Sequence, residues 1–320
     1  MENALAKRLV DSSLTLTRND LLVIDYQDHT LPLYSEVEKE AQLRGARVEA
    51  FSRPTRITLS DLERLSELVE SATAYLKLGG GQYKKLESEE EKMAIEIKEG
   101  EIRNRRCSLK WTLTPYPSPF MARRLKIDLD DLRDVYFRSC FVDYSKQRKI
   151  QEILAQQFSP GEVRIKSPDT NILFNILREP HFCCGNINMP DGELFYEVDP
   201  LKTEGNIGFS IPTLFGSAYF EFINLRFKEG KVVEYDSNQI KFLRTLLILD
   251  PFASFLGEFG IGTNPFARVV GHSFIDEKVA GTFHLALGAM SPEMESSLHL
   301  DLVKSLQDCK ITNNGRIIRF

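Results

Sequence analysis

Six side chains in the second half of the chain are of the types that bind divalent metals in water. They are Glu193 in NMPDGE, Glu258 in GEFGIGTNP, Glu277 in DEK, His284 in GTFHLALG, and His299 and Asp301 in SLHLD. Carboxylates and imidazoles supply the oxygen and nitrogen donors that first-row metals take. The sequence has only 5 histidines, and two of them fall in this group. One metal, or a close pair, held by such groups would serve hydrolysis or oxygenation.

The neighbouring residues show how these groups could be positioned. Pro190 fixes one backbone angle and Gly192 permits a tight reversal, so the turn delivers Glu193 with little freedom. Glycines on both sides of Glu258 let a ligand or metal approach the backbone closely. His284 sits among small and apolar residues. His299 and Asp301 are one residue apart in a strand-like segment, which points both to the same face. Taken singly, each has an ordinary explanation: a solvated turn carboxylate, a hydrogen-bonded core histidine, a chance H-x-D. Their concentration in one stretch, flanked by glycines and prolines, points to a metal.

Other candidates are weaker. His181, Cys183 and Cys184 read as a buried strand edge with inert thiols, because adjacent cysteines make a poor zinc site and no second Cys/His pair lies at finger spacing. Gly79, Gly80 and Gly81 follow a strand but belong to no phosphate-binding pattern, so they read as a turn. Asp28 and His29 follow the first strand, where ligands often sit in α/β sheets, yet a solvated loop is the simpler reading. His272 reads as a surface or supporting residue and Trp111 as core.

Two different patterns surround these candidates. The first half alternates strand and helix signals. Residues 21–26 (LLVIDY) form a near-continuous apolar run, as expected for a strand covered on both faces. A helix ending at Gly45, a strand over 48–51, a helix opened by a Ser60/Glu63 capping box and a strand over 74–78 come next. An exposed helix is expected over 86–100, a strand over 110–113, a helix capped by Asp128 and a polar helix over 146–158. Ser159-Pro160-Gly161 marks a domain boundary. Beyond it, strand patterns at 163–166, 172–177, 207–211 and 220–227 precede a hairpin turn at 228–230. A helix over 240–248 and a last strand over 316–320 complete the pattern. The expected architecture is an α/β N-terminal domain with an open sheet over 1–160, and an α+β C-terminal domain carrying the metal site over 161–320.

Composition narrows the class. At 320 residues the chain can bury two sizeable cores, and 42% hydrophobic with 27% charged residues is ordinary for a soluble protein. The net charge of −5 without a basic block gives nucleic-acid binding little support. Residues 1–10 read as an amphipathic helix rather than a signal peptide, and no segment reaches the length of a membrane span. Five irregularly spaced cysteines suggest free thiols in a reducing, cytoplasmic compartment.

The ordered set NMPDGELFYEVDP, GEFGIGTNP, DEKVAGTFHLALG and SLHLD, with WTLTPYPSPFMARRL upstream, resembles the aminopeptidase T (M29) metallopeptidase family, of which this would be a short member. The resemblance implies two divalent metal ions (zinc, cobalt or manganese), a peptide substrate cut at its N-terminal residue, and a homodimer. It places Glu193, Glu258, His284, His299 and Asp301 on ligand positions. Glu277 falls near another, with a spacing to His284 that looks two residues longer than the family's. Glu258 or Glu277 would bridge the metals or act as general base. Three departures stand out: Ala289 and Met290 occupy the stretch where the family has a tyrosine, the segment from His284 to His299 is compressed, and the chain is short. The same residues admit two other readings. A branch of the superfamily resembles ring-cleaving dihydroxypyridine dioxygenases, for which His284, His299 and Asp301 would supply a two-histidine, one-carboxylate triad. A degenerate, non-catalytic member is the third.

Overall fold

The computed structural model describes residues 1–81, 88–216 and 218–320. It divides into two compact units, Met1–Val142 with Gly185–Asp191, and Asp143–Cys184 with Gly192–Phe320.

The first unit runs through α1 (Glu2–Arg8), β1 (Leu21–Tyr26), α2 (Leu31–Leu43), β2 (Arg47–Ser52), α3 (Leu59–Ser71), β3 (Ala74–Gly79), α4 (Glu89–Arg106), β4 (Lys110–Pro115), α5 (Pro119–Leu125) and α6 (Leu129–Cys140). Its strands form one parallel sheet in the order β2-β1-β3-β4. Parallel neighbours need a crossover, and the intervening helices provide it. β1 is apolar along its length because it is covered: Leu22, Val23 and Ile24 are fully buried. On one face Val23, Phe51 and Tyr75 pack with Leu62, Leu65 and Val69 of α3 and Ile95 and Ile102 of α4. The first residues of the helix expected over 86–100 lie outside the described residues, and the described helix continues to Arg106.

The capping box of α3 is made by Thr58 and Asp61, not by Ser60 and Glu63. An N-cap must be extended, as Thr58 is (φ −117°, ψ 166°), whereas Ser60 already lies inside the helix. Asp128 caps α6 as expected, accepting from the N–H groups of Asp130 and Asp131. A buried charge network crosses this unit. The Arg53 guanidinium donates to both oxygens of Asp25 at 2.8 and 2.6 Å and also to Glu99, and the Tyr75 hydroxyl donates to Asp25 at 2.8 Å.

The second unit opens with α7 (Tyr144–Ala155) and continues through β5 (Gly161–Ser167), β6 (Thr170–Ile176), β7 (His181–Cys183), β8 (Glu193–Glu197), β9 (Glu204–Phe209), β10 (Thr213–Phe215), β11 (Ala218–Phe220), β12 (Ile223–Lys228) and β13 (Lys231–Ser237). Next come α8 (Ile240–Leu247), β14 (Leu256–Gly262), α9 (Ser273–Asp276), β15 (Thr282–Leu287), β16 (Met290–Ser291), β17 (Met294–Glu295), β18 (Leu300–Ser305), β19 (Lys310–Asn313) and β20 (Arg316–Ile317). A seven-stranded sheet has the order β13-β12-β9-β6-β5-β19-β20 and a five-stranded sheet the order β18-β15-β14-β8-β7. All their pairings are antiparallel. The two sheets meet through Ile207, Phe209, Leu225, Phe227, Leu256, Leu285, Leu287 and Leu302.

Residues 143–160 group with the second unit. Helix α7 groups with the antiparallel sheets because its buried Gln151 donates to Cys183 O at 3.0 Å and to Thr263 Oγ1 at 3.1 Å. The single strand expected over 220–227 is two strands in different sheets, since β11 pairs with β10 while β12 pairs with β9 and β13. The last strand covers only Arg316–Ile317.

Candidate metal centre

The five-stranded sheet presents one face of acidic and imidazole groups. Its register aligns Glu193 with Gly262, Gly260 with His284, Glu258 with Ala286, and Ala286 with Asp301. Because strand side chains alternate, these pairings put Glu193, Glu258, His284 and Asp301 on the same face of four adjacent strands. The opposite face of β14 carries Phe259, packed against Tyr196, Phe174 and Phe283.

Glu258 reaches this face through a bulge. The register of β14 shifts between Leu256 and Glu258, leaving Gly257 as the extra residue. Without it, Leu256 and Glu258 would share a face. With it, Leu256 joins the apolar core with Leu285 and Leu287 while Glu258 turns to the acidic face. Gly257 can occupy the bulge because it has no side chain: a Cβ there would stand 2.0 Å from Gly288 O.

The groups converge closely. Donor atoms of Glu258, His299 and Asp301 all lie within 4.8 Å of one another. His299 Nε2 is 3.3 Å from Asp301 Oδ1. His284 Nε2 lies 3.0 Å from Glu258 Oε1 and 3.6 Å from Glu193 Oε2. Its imidazole rests over Gly260, where a Cβ would approach Nε2 to 2.3 Å. His299 lies just before β18, so the H-x-D pair meets at the start of the strand.

Glu277 arrives from a loop rather than from the sheet. It closes α9, and the residues after it are pinned to the GIGTNP segment: Asn264 N–H donates to Lys278 O at 2.7 Å, and Ala280 N–H donates to Asn264 O at 3.0 Å. Gly262 admits this loop, since a Cβ there would meet Val279 O at 2.2 Å and Glu277 O at 2.7 Å. Asp276 anchors the loop from the other side by accepting the N–H groups of Val270 and Gly271. Lys278, which no sequence pattern singles out, is fully buried, and its ammonium contacts both Glu193 and Glu277.

Charge dominates this region. Burial pushes the Glu277 carboxyl well above its ordinary range, and the charges of Asp301 and Glu193 add to that while Lys278 opposes it. Burial alone would lower His284, but the Glu258 hydrogen bond and the neighbouring carboxylates win and raise it to about 9. Burial likewise opposes the charge on Asp301, yet His299 holds it well below the usual carboxylate range. Among the described residues, Glu277 Oε2 and His284 Nδ1 are buried without a hydrogen-bond partner. Such groups cost about 1–3 kcal/mol each unless something satisfies them. Glu193, Glu258, Glu277 and Asp301, together with His284 and the unpartnered Glu277 Oε2, suit a bound divalent cation.

The remaining candidates lie elsewhere. His181 is half exposed and pairs with Glu197 at 3.4 Å. Cys183 is buried on the edge strand β7, and the Cys184 thiol donates to Gln151 Oε1 at 3.1 Å. His29 belongs to the first unit, 3.3 Å from Gly79 O. His272 caps α9, where burial lowers it to about 4. Trp111 lies on β4 against the core. Among the described residues no helix is long and apolar enough to cross a membrane.

Comparison with known proteins gives a fold and a family. The fold is similar to that of wild-type AmpT from Thermus thermophilus, with a TM-score of 0.77 and 18% identity over 99% of each chain. It is also similar to that of 2,5-dihydroxypyridine dioxygenase from Pseudomonas putida KT2440, with a TM-score of 0.63 and 14% identity over 99% of this chain and 94% of the other. No curated protein matches the sequence. A sequence model of the thermophilic metalloprotease (M29) family matches residues 2–303, nearly the whole length, and the chain belongs to that family.

Proposed function

We propose that the second unit is the catalytic domain of a metal-dependent aminopeptidase. The observation that carries this reading is the convergence of Glu193, Glu258, Glu277, His284, His299 and Asp301 around buried, unsatisfied polar atoms in a chain of metalloprotease family. Glu258, His299 and Asp301 would hold one divalent ion, and Glu193, Glu277 and His284 would complete a second position. When bound, such ions acidify a water and polarise a peptide carbonyl. Glu258 or Glu277 would bridge the positions or serve as the general base, since a carboxylate at such a site can take the proton released as water attacks. An ion at the second position would also hold the substrate's free amino group, which would restrict cleavage to an N-terminal residue.

A ring-cleaving dioxygenase is the second reading. It is favoured by the fold similar to that of the Pseudomonas enzyme and by His284 and Asp301 on one face with His299 beside Asp301. Glu193, Glu258 and Glu277 weigh against it, because a single iron has no need of three further carboxylates. The aminopeptidase reading also carries a homodimer in a reducing compartment. The deciding experiment quantifies metal in protein purified without supplements and assays a panel of aminoacyl substrates. Two zinc, cobalt or manganese ions with aminoacyl hydrolysis support the proposal. A single iron overturns it in favour of the oxygenase, and failure to take up metal at any supplied concentration points to a non-catalytic member.

A further inference from the structure

Lys278 is fully buried, yet it ends among carboxylates rather than at the surface. Its ammonium contacts Glu193 Oε1, and it lies 2.7 Å from Glu277 Oε1. The Phe274 ring covers it from one side, with its centroid 5.6 Å from Nζ. Burying an ammonium costs several kcal/mol unless it is paired, and here two carboxylates pair it. The backbone beneath is fixed, because Lys278 N–H donates to Ile275 O and Lys278 O accepts from Asn264 N–H. The position of Nζ is therefore built into the loop.

This divides the centre into unlike halves. On one side Glu258, His299 and Asp301 bring three donor atoms together. On the other, Glu193 and Glu277 already share a positive charge. His284 lies at the seam, near both Glu258 and Glu193.

We propose that Lys278 is a resident cation at the Glu193–Glu277 half, so that two divalent ions bind unequally and in order. The first goes to Glu258, His299 and Asp301. The second binds only by displacing the ammonium from Glu193 and Glu277. Lys278 is thus a positioning residue: it holds the two carboxylates together before the second ion arrives and competes with that ion afterwards. The inference rests on the two-metal reading above.

The test is a calorimetric titration of the chelator-stripped full chain with Mn²⁺, with bound metal counted after gel filtration and the metal-free melting temperature recorded. The wild type should show two binding events, the second weaker. Lys278→Met should tighten the second event by on the order of tenfold or more, because a like charge a few ångströms away is gone. It should also lower the metal-free melting temperature, since Glu193 and Glu277 are left facing each other. Lys278→Arg, which keeps the charge, should retain the wide gap between the two events. Lys278→Gln serves the same purpose if the methionine variant does not fold. A second event that is unchanged or weaker in the uncharged variant overturns the proposal while leaving the two-metal centre intact. Equal affinities in the wild type overturn it too. A wild type that binds one ion or none overturns the two-metal reading itself, and the ordered-binding proposal with it.

Discussion

The imidazole of His284 lies across Gly260 of the neighbouring strand, so near that a Cβ on Gly260 would stand 2.1 Å from Cε1. Real contacts to a Cβ essentially never fall below 3.0 Å. Gly260→Ala should therefore push the ring away from Glu258 and sharply reduce metal retained after desalting. The overpacking should cost about 1–3 kcal/mol of stability. Full metal content in a folded Gly260→Ala protein would show that the ring position is not what the centre needs.

His299→Ala should abolish metal retention and leave the fold intact. The side chain is 28% exposed and starts a strand rather than filling the core, so little packing is lost. Metal analysis beside circular dichroism checks both halves of the expectation. Unchanged metal content would remove His299 from the ligand set.

Arg53→Met should destabilise the first unit by about 3–5 kcal/mol, the usual cost of leaving a buried carboxylate unpaired. Asp25 is fully buried and would lose the bidentate contact, keeping the Tyr75 hydroxyl. Denaturant unfolding measures this, and a change within error would mean that water or a neighbour takes over the guanidinium's role.

Glu99 gives the first unit an acid-sensitive element. Burial opposes its charge, but Lys77 and Arg53 prevail and lower its pKa from 4.5 to about 2. A depressed carboxyl stabilises the fold fully above the unfolded value and loses that contribution as pH falls. Stability should thus decline between pH 4.5 and about 2, and Glu99→Gln should flatten that part of the profile. A variant with the same slope as the wild type would assign the decline to other groups.

Local signals are legible where one residue's chemistry settles its environment. LLVIDY announces a strand covered on both faces, and Asp128 announces a helix start, because burial and capping depend on residues close in sequence. The box at α3 is ambiguous because T-x-x-D and S-x-x-E overlap there, and only backbone angles decide which residue is still extended. The acidic and imidazole candidates can be picked out by type, but not how they are aimed. Gly257 shows why: whether it extends or interrupts the strand depends on pairing with β15, far along the chain. Lys278 escapes notice because a lysine beside a glutamate reads as a solvated pair. Its burial comes from loop contacts to Asn264 that no local pattern encodes.

The chain passes between its two units three times, because Gly185–Asp191 groups with Met1–Val142 while the residues on either side group with the second unit. This short return is tied in by backbone pairing, since Met189 N–H donates to Leu113 O at 2.9 Å and Asn188 bridges to Leu113. Neither unit is a continuous length of sequence. A cut after Val142 would take a piece of the first unit's own fabric away with the second. A fragment ending at Val142 therefore lacks residues 185–191, so no single cut in the sequence yields the first unit entire.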